Sequence, residues 1–256
     1  MIRPIVSSFC FLALAALPVS AEVLYAVGSP GTLLTVDLDS GRIETRSTLA
    51  LPDQSRLNGV TVLADDTVLL AGTVPGVRTR NYLALLGNGR VQTLNVTGLA
   101  QRSALLSVLA TRQGALLGVA SAQSEGVAQR LVTIDRQTGK ALPLADFALS
   151  KSVLLSNLTQ CPNGRIYGTT FPQEGGAHLV RVDLLQHKLT RLPGLQIAGQ
   201  PFGGGIKSLA CSGANELFAL SPSSTEGQSV LYRLDAASGS LNEVLTAEIE
   251  KIAFRP

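Results

Sequence analysis

Apolar and polar positions alternate in runs too short for helices. Residues 207–241 divide at clusters of Gly, Ser, Asn and Pro into four runs, 207–211, 216–221, 229–235 and 241 onward. Runs of this length with turn formers between them predict four strands joined by hairpins. The pattern repeats along the chain. The quartet Val23-Leu24-Tyr25-Ala26 recurs in kind as Val68-Leu69-Leu70-Ala71, Ala115-Leu116-Leu117-Gly118, Arg165-Ile166-Tyr167-Gly168 and Glu216-Leu217-Phe218-Ala219, at spacings of 45 to 51 residues. A small residue after two bulky ones suits sheets stacked face to face, where large side chains need small ones opposite.

A second marker follows the quartets. Asp37 and Gly41, Asp135 and Gly139, and Asp235 and Gly239 each end an apolar run with an Asp and place a Gly four residues later. Such an Asp accepts hydrogen bonds from its own turn while the Gly takes a positive φ. In the remaining copies the turn shortens at Gly87-Asn88-Gly89, or loses its Gly after Asp183, where His187 and Lys188 stand instead. These aspartates therefore read as hairpin parts.

The ends fix the number of repeats. The first copy opens on its second strand, Val23 to Val27, and residues 248–254 match a first strand with no second after it. The C-terminal strand is thus expected to complete the first sheet, which joins both ends of the chain and leaves no open seam. The expected fold is all-β: a five-bladed β-propeller of four-stranded antiparallel blades. Six blades in about 235 residues would leave about 39 each, shorter than any observed spacing.

Residues 1–21 read as a signal peptide. Arg3 precedes a mostly apolar stretch from Ile5 to Leu17, and Pro18-Val19-Ser20-Ala21 suits cleavage before Glu22. The stretch, interrupted by Ser7 and Ser8, is too short to span a bilayer. Residues 22–256 then form one propeller domain, periplasmic or secreted, with no membrane span and a monomeric state expected. Removing the leader takes Arg3 and Cys10 from a chain of net charge +3. What remains is too weakly basic for a nucleic-acid footprint.

Residues 57–71, Leu57-Asn58-Gly59 followed by an apolar strand, an Asp65-Asp66 turn and Leu69-Leu70, resemble a segment of the gluconolactonase, senescence-marker and strictosidine-synthase-like propellers. The general grammar is also similar to NHL-type and quinoprotein-like blades. In the lactonases the Asn of that segment holds a divalent metal in the central channel. The resemblance thus implies Asn58 as ligand of one divalent ion such as calcium, with Asn157 and Glu250 as helpers, in a metal-dependent lactonase-like hydrolase. Where that family carries a channel Asp, this chain has Gly203-Gly204-Gly205-Ile206-Lys207.

Read without the resemblance, the starts of the inner strands offer Asn58, Ser107, Ser156, Asn157, Lys207, Ser208, Glu250 and Lys251. This polar ring is expected to form the mouth of the channel, with Asn58, Asn157, Lys207 and Glu250 contacting an unknown small molecule or protein partner and no cofactor required. The pairs Glu125-Gly126, Glu174-Gly175 and Glu226-Gly227 fall on hairpins of the same face and read as solvated turns. The two histidines, His178 and His187, have no metal-ligand spacing. No GxSxG elbow is present, and no Trp is available to stack on a sugar ring. Catalytic residues are not identified.

Cys161 and Cys211 remain after export. Aligned on their strands they lie one residue out of register, so they point to opposite faces of adjacent blades, as a bridge between those blades requires. An oxidising compartment favours the bond. The usual sheet spacing of about 10 Å, against about 5.5 Å between bridged Cα atoms, opposes it. The sequence leaves both outcomes open.

Overall fold

The computed structural model describes residues 22–29, 31–87, 90–124, 127–150, 154–171 and 177–255; the leader and the Glu125 and Glu174 turns lie outside them. Blade 1 contains β1 (Val23–Gly28), β2 (Thr32–Asp37) and β3 (Ile43–Thr48). Blade 2 contains β4 (Arg56–Val62), β5 (Val68–Val74), β6 (Arg80–Gly87) and β7 (Arg90–Val96). Blade 3 contains β8 (Leu105–Ala110), β9 (Leu116–Ser124), β10 (Val127–Ile134) and β11 (Ala141–Ser150). Blade 4 contains β12 (Leu154–Gln160), β13 (Ile166–Phe171), β14 (His178–Asp183) and β15 (Lys188–Gly194). After a short hairpin of β16 (Gln196–Ile197) and β17 (Gln200–Pro201), blade 5 follows as β18 (Ser208–Cys211), β19 (Leu217–Pro222), β20 (Ser229–Leu234) and β21 (Leu241–Ala247). The last strand, β22 (Lys251–Phe254), pairs antiparallel with β1 from Leu24↔Phe254 to Val27↔Lys251 and completes blade 1. The chain is a five-bladed β-propeller, and no helix occurs among the described residues.

The core is a ring of layers. Five apolar clusters lie one between each pair of neighbouring blades, including one where Leu24, Ala26, Ile252 and Phe254 of blade 1 meet Phe218, Leu220 and Leu231 of blade 5. The small quartet residues fit as expected. A Cβ on Gly118 would lie 2.7 Å from Leu105 Cδ1, and one on Gly168 2.8 Å from Leu155 Cδ1. Blade 2 departs by one residue: Leu69 and Ala71 pack toward blade 3, whereas Leu24 and Ala26 pack back toward blade 5. All of Val68–Val74 is buried, Thr73 included, so no exposed position pins which face the quartet takes.

The Asp turns form as read. Asp37, Asp135 and Asp235 each accept from the backbone two residues on, at 3.0, 2.8 and 2.9 Å. These bonds hold the three carboxyls below the usual range, with the Ser40 N–H foremost at Asp37, the Thr138 N–H at Asp135 and the Ser238 hydroxyl at Asp235. Gly239 has φ 77°, and His187 takes the equivalent left-handed position after Asp183 with φ 50°. Glu226-Gly227 lies in a turn closed by the Ser223 N–H donating to Gln228 O at 3.1 Å.

Cys161 and Cys211 are bridged, with Cα atoms 5.2 Å apart. The bond joins the ends of the inner strands of blades 4 and 5. Blades converge toward the axis there, which removes the objection drawn from the spacing of parallel sheets.

Candidate functional site

Strand register aligns the inner strands, since Val62, Ala110, Gln160, Cys211 and Phe254 each pair with the first residue of the next strand or its equivalent. In that alignment Asn58, Leu106, Ser156, Lys207 and Glu250 occupy one ring position, and Asn157 and Lys251 the next. The residue before the ring is Leu57, Leu105, Leu155, Ile206 and Ile249.

That preceding residue is where blades are fastened to each other. Asn58 Nδ2 donates to Leu105 O at 2.7 Å and to Thr73 Oγ1 at 3.2 Å. Asn157 Nδ2 donates to Ile206 O at 2.8 Å and to Thr169 Oγ1 at 2.9 Å. Gln129 holds Leu155 at both groups, accepting from its N–H at 2.6 Å and donating to its carbonyl at 3.1 Å. Asn81 accepts from Leu105 N at 2.7 Å, and Ser229 Oγ donates to Ile249 O at 2.6 Å. Backbone bulges aim the two asparagines. The ladder shifts register at Asn58 and again between Ser156 and Thr159, where Asn157 adopts φ 52°, a conformation Asn tolerates better than most residues. The Asn58-Gly59 pair has a packing role of its own, because a Cβ on Gly59 would sit 3.1 Å from Val108 N.

Serines reinforce the same seams. Ser107 Oγ accepts from Leu158 N at 2.9 Å, and Ser208 Oγ from Ile252 N at 3.1 Å. Much of the polar ring expected to line a mouth is therefore committed to neighbouring blades. The charged members differ. Lys207 Nζ donates to Ser229 Oγ at 3.0 Å, and Lys251 Nζ to Lys207 O at 2.5 Å. No ion pair joins Lys207 to Glu250 among the described residues. Burial of the Lys251 ammonium, aided by the Lys207 charge and opposed by that of Glu250, lowers its pKa to about 8. The sequence places Lys251 in the polar ring, but its burial depends on a neighbouring blade and is not marked in its own strand.

Among the described residues, the seam between blades 1 and 2 lacks the fastener. Among the described residues no side chain of blade 1 bonds to the backbone of Leu57, the equivalent residue of blade 2. A cleft of about 310 Å³ opens there, lined by Leu57, Glu250, Ser29, Asp53, Gln54 and Ser55. It lies on the face formed by the loop entering β4 and the hairpin joining β1 to β2. Glu250 is thus brought to an open cleft with a second carboxylate nearby in the loop, while Asn157 belongs to the far side of the ring. Among the described residues no three His, Cys, Asp or Glu side chains cluster as a metal site. The chemistry of Asn58 leaves its Oδ1 as the atom for a metal. His178 contacts Arg191 Nη2 at 2.6 Å through Nε2, and burial, then the Arg191 charge, lowers its pKa.

No family model matches the chain, and no curated protein matches it. Solved structures do. A protein of unknown function from Bacteroides caccae aligns over 92% of this chain and 99% of its own, with 14% identity and a TM-score of 0.53. TolB from Acinetobacter baumannii aligns over 93% of this chain and 67% of its own, with 15% identity and a TM-score of 0.51. A putative 6-phosphogluconolactonase from Bacteroides uniformis shares 16% identity over 88% of this chain and 68% of its own, with a TM-score of 0.42. At these identities the likeness to the first two is one of fold alone.

Proposed function

We propose that the protein is an exported binding module that takes a small molecule at its loop face, in the cleft between blades 1 and 2. The observation that carries this reading is the break in the repeat: on the loop face, a cleft opens at the seam where no side-chain fastener is found among the described residues. A space of about 310 Å³ falls within the range of small-molecule sites, and Leu57 beside serines and carboxylates offers an apolar wall with a few directed polar groups. Glu250 and Asp53 favour a ligand carrying a cation or several hydroxyls.

The Cys161–Cys211 bond supports residence in an oxidising compartment, periplasmic or outside the cell. N-terminal sequencing of the exported protein is expected to begin at Glu22.

The test is a thermal-shift screen of the mature chain against amines and polyols, repeated with Glu250→Gln and Asp53→Asn. Ligands that raise the melting temperature of the wild type are expected to lose that effect in both variants. Stabilisation by no compound, or stabilisation indifferent to both substitutions, rejects the cleft. Elemental analysis of the same preparation separates the metal-dependent reading. One tightly held divalent ion per chain, lost in Asn58→Ala, would favour a lactonase-like hydrolase instead.

A further inference from the structure

A second cleft, of about 500 Å³, opens between blades 4 and 5 beside the turns that follow their inner strands, at the opposite end of those strands from the mouth. We infer that it binds a small oxyanion, a carboxylate or phosphate. Its blade 4 wall carries Arg165 and Arg181. Tyr167 pairs directly with Arg181, and Arg165 lies two residues before Tyr167 on the same face. The two arginines are therefore diagonal neighbours with Cβ atoms about 7 Å apart, a spacing from which two guanidinium forks converge on one anion.

Both arginines are exposed, and neither forms an ion pair among the described residues, whereas Arg42, Arg46, Arg233 and Arg255 all do. The acids at the cleft are already engaged. Glu216 lies 3.7 Å from Arg233, and Asp235 accepts from Ala237 N at 2.9 Å and Ser238 Oγ at 2.6 Å. Positive charge is in excess. At the floor, Asn215 Oδ1 accepts from Asn163 N at 2.8 Å and Asn163 Oδ1 accepts from Arg165 N at 3.0 Å. With both carbonyl oxygens used, the two amide NH2 groups remain as donors to a ligand.

The walls are held in place before any ligand arrives. The Cys161–Cys211 bond ties the blades two and four residues upstream of Asn163 and Asn215, and the Asn163–Asn215 bond joins the turns themselves. Fixed walls lower the ordering cost of binding.

Calorimetric titration of the mature protein with citrate and, separately, with inorganic phosphate tests the site and distinguishes the two sources of oxyanion. Saturable binding of at least one anion at one site per chain is expected. It should weaken by about tenfold or more in Arg165→Ala/Arg181→Ala, where two charge-assisted contacts are lost. Arg90→Ala/Arg130→Ala removes the same charge elsewhere and should leave the affinity unchanged. Equal weakening in both double variants would reduce the effect to diffuse attraction and overturn the site, as would no saturable binding of either anion. Because all four arginines are exposed, matching melting curves are expected to show that the variants fold.

Discussion

Lys251 gives the structure a specific dependence on pH. Its ammonium is buried at the seam between blades 5 and 1, donates to Lys207 O at 2.5 Å, and has a pKa lowered to about 8. In the unfolded chain the same group titrates near the ordinary lysine value of 10.5. The folded pKa is depressed, so below about pH 8 the native state bears the cost of a charge it solvates poorly. Between about pH 8 and 10.5 the native amine sheds its proton while the unfolded one keeps it, and stability rises with pH. At about 1.36 kcal/mol per pH unit, the gain between pH 7 and pH 9.5 is about 2 kcal/mol. Lys251→Met keeps an apolar stem of similar length and removes the titration. Urea denaturation of both proteins at pH 7 and 9.5 is the assay. The wild type is expected to gain about 2 kcal/mol over the variant across that interval. Comparing the two proteins cancels the other lysines and the tyrosines. Parallel stability curves, with no relative gain, would show that the ammonium is solvated in the native state and refute the reasoning.

Two further outcomes concern the closing strand and the disulfide. Deleting residues 248–256 removes β22 together with Ile249, Ile252 and Phe254, which are 1%, 0% and 6% exposed. At about 1.5 to 3 kcal/mol for each buried side chain the loss rivals the whole stability of a domain, so thermal melting is expected to show no cooperative transition; an unchanged melting temperature would contradict the pairing of β22 with β1. Replacing both Cys161 and Cys211 by Ala opens a loop closed across a separation of 50 residues and is expected to cost about 4 kcal/mol in the chain-entropy model. Urea denaturation of the double variant measures this, and thiol titration of the unfolded, unreduced wild type should find no free thiol.

The blades were legible because their signals are local. An Asp that closes its own turn, a Gly or His with positive φ four residues on, and a small residue under a leucine are each decided within one hairpin, and repetition multiplies the signal. Blade 2 shows the limit, since a strand buried along its whole length carries no mark of which face looks inward, and its quartet is offset by one residue from the others. The disulfide was half legible. Alternation along a strand gave the facing directions of Cys161 and Cys211, but the distance between them depends on how steeply blades converge, which no single strand encodes.

The site was least legible, for a reason the ring itself supplies. Asn58 and Asn157 look from sequence like side chains entering a channel, and an asparagine that reaches a ligand is written with the same letter as one that reaches the next blade. What separates the two roles is symmetry. Asn58, Gln129, Asn157 and Ser229 all serve the residue before the ring position in the following blade, at Leu105, Leu155, Ile206 and Ile249. A task performed at seam after seam belongs to the fold. Binding one ligand is a task performed once, so it should appear where the repeat is broken. The ring position breaks from uncharged residues to Lys207 and then Glu250, and among the described residues the fastener is missing at Leu57, so both departures meet around the blade that the two ends of the chain build together. That blade's inner strand comes from the C-terminus, outside the run of consecutive hairpins, which leaves its entrance free of the loop geometry that the other four blades share.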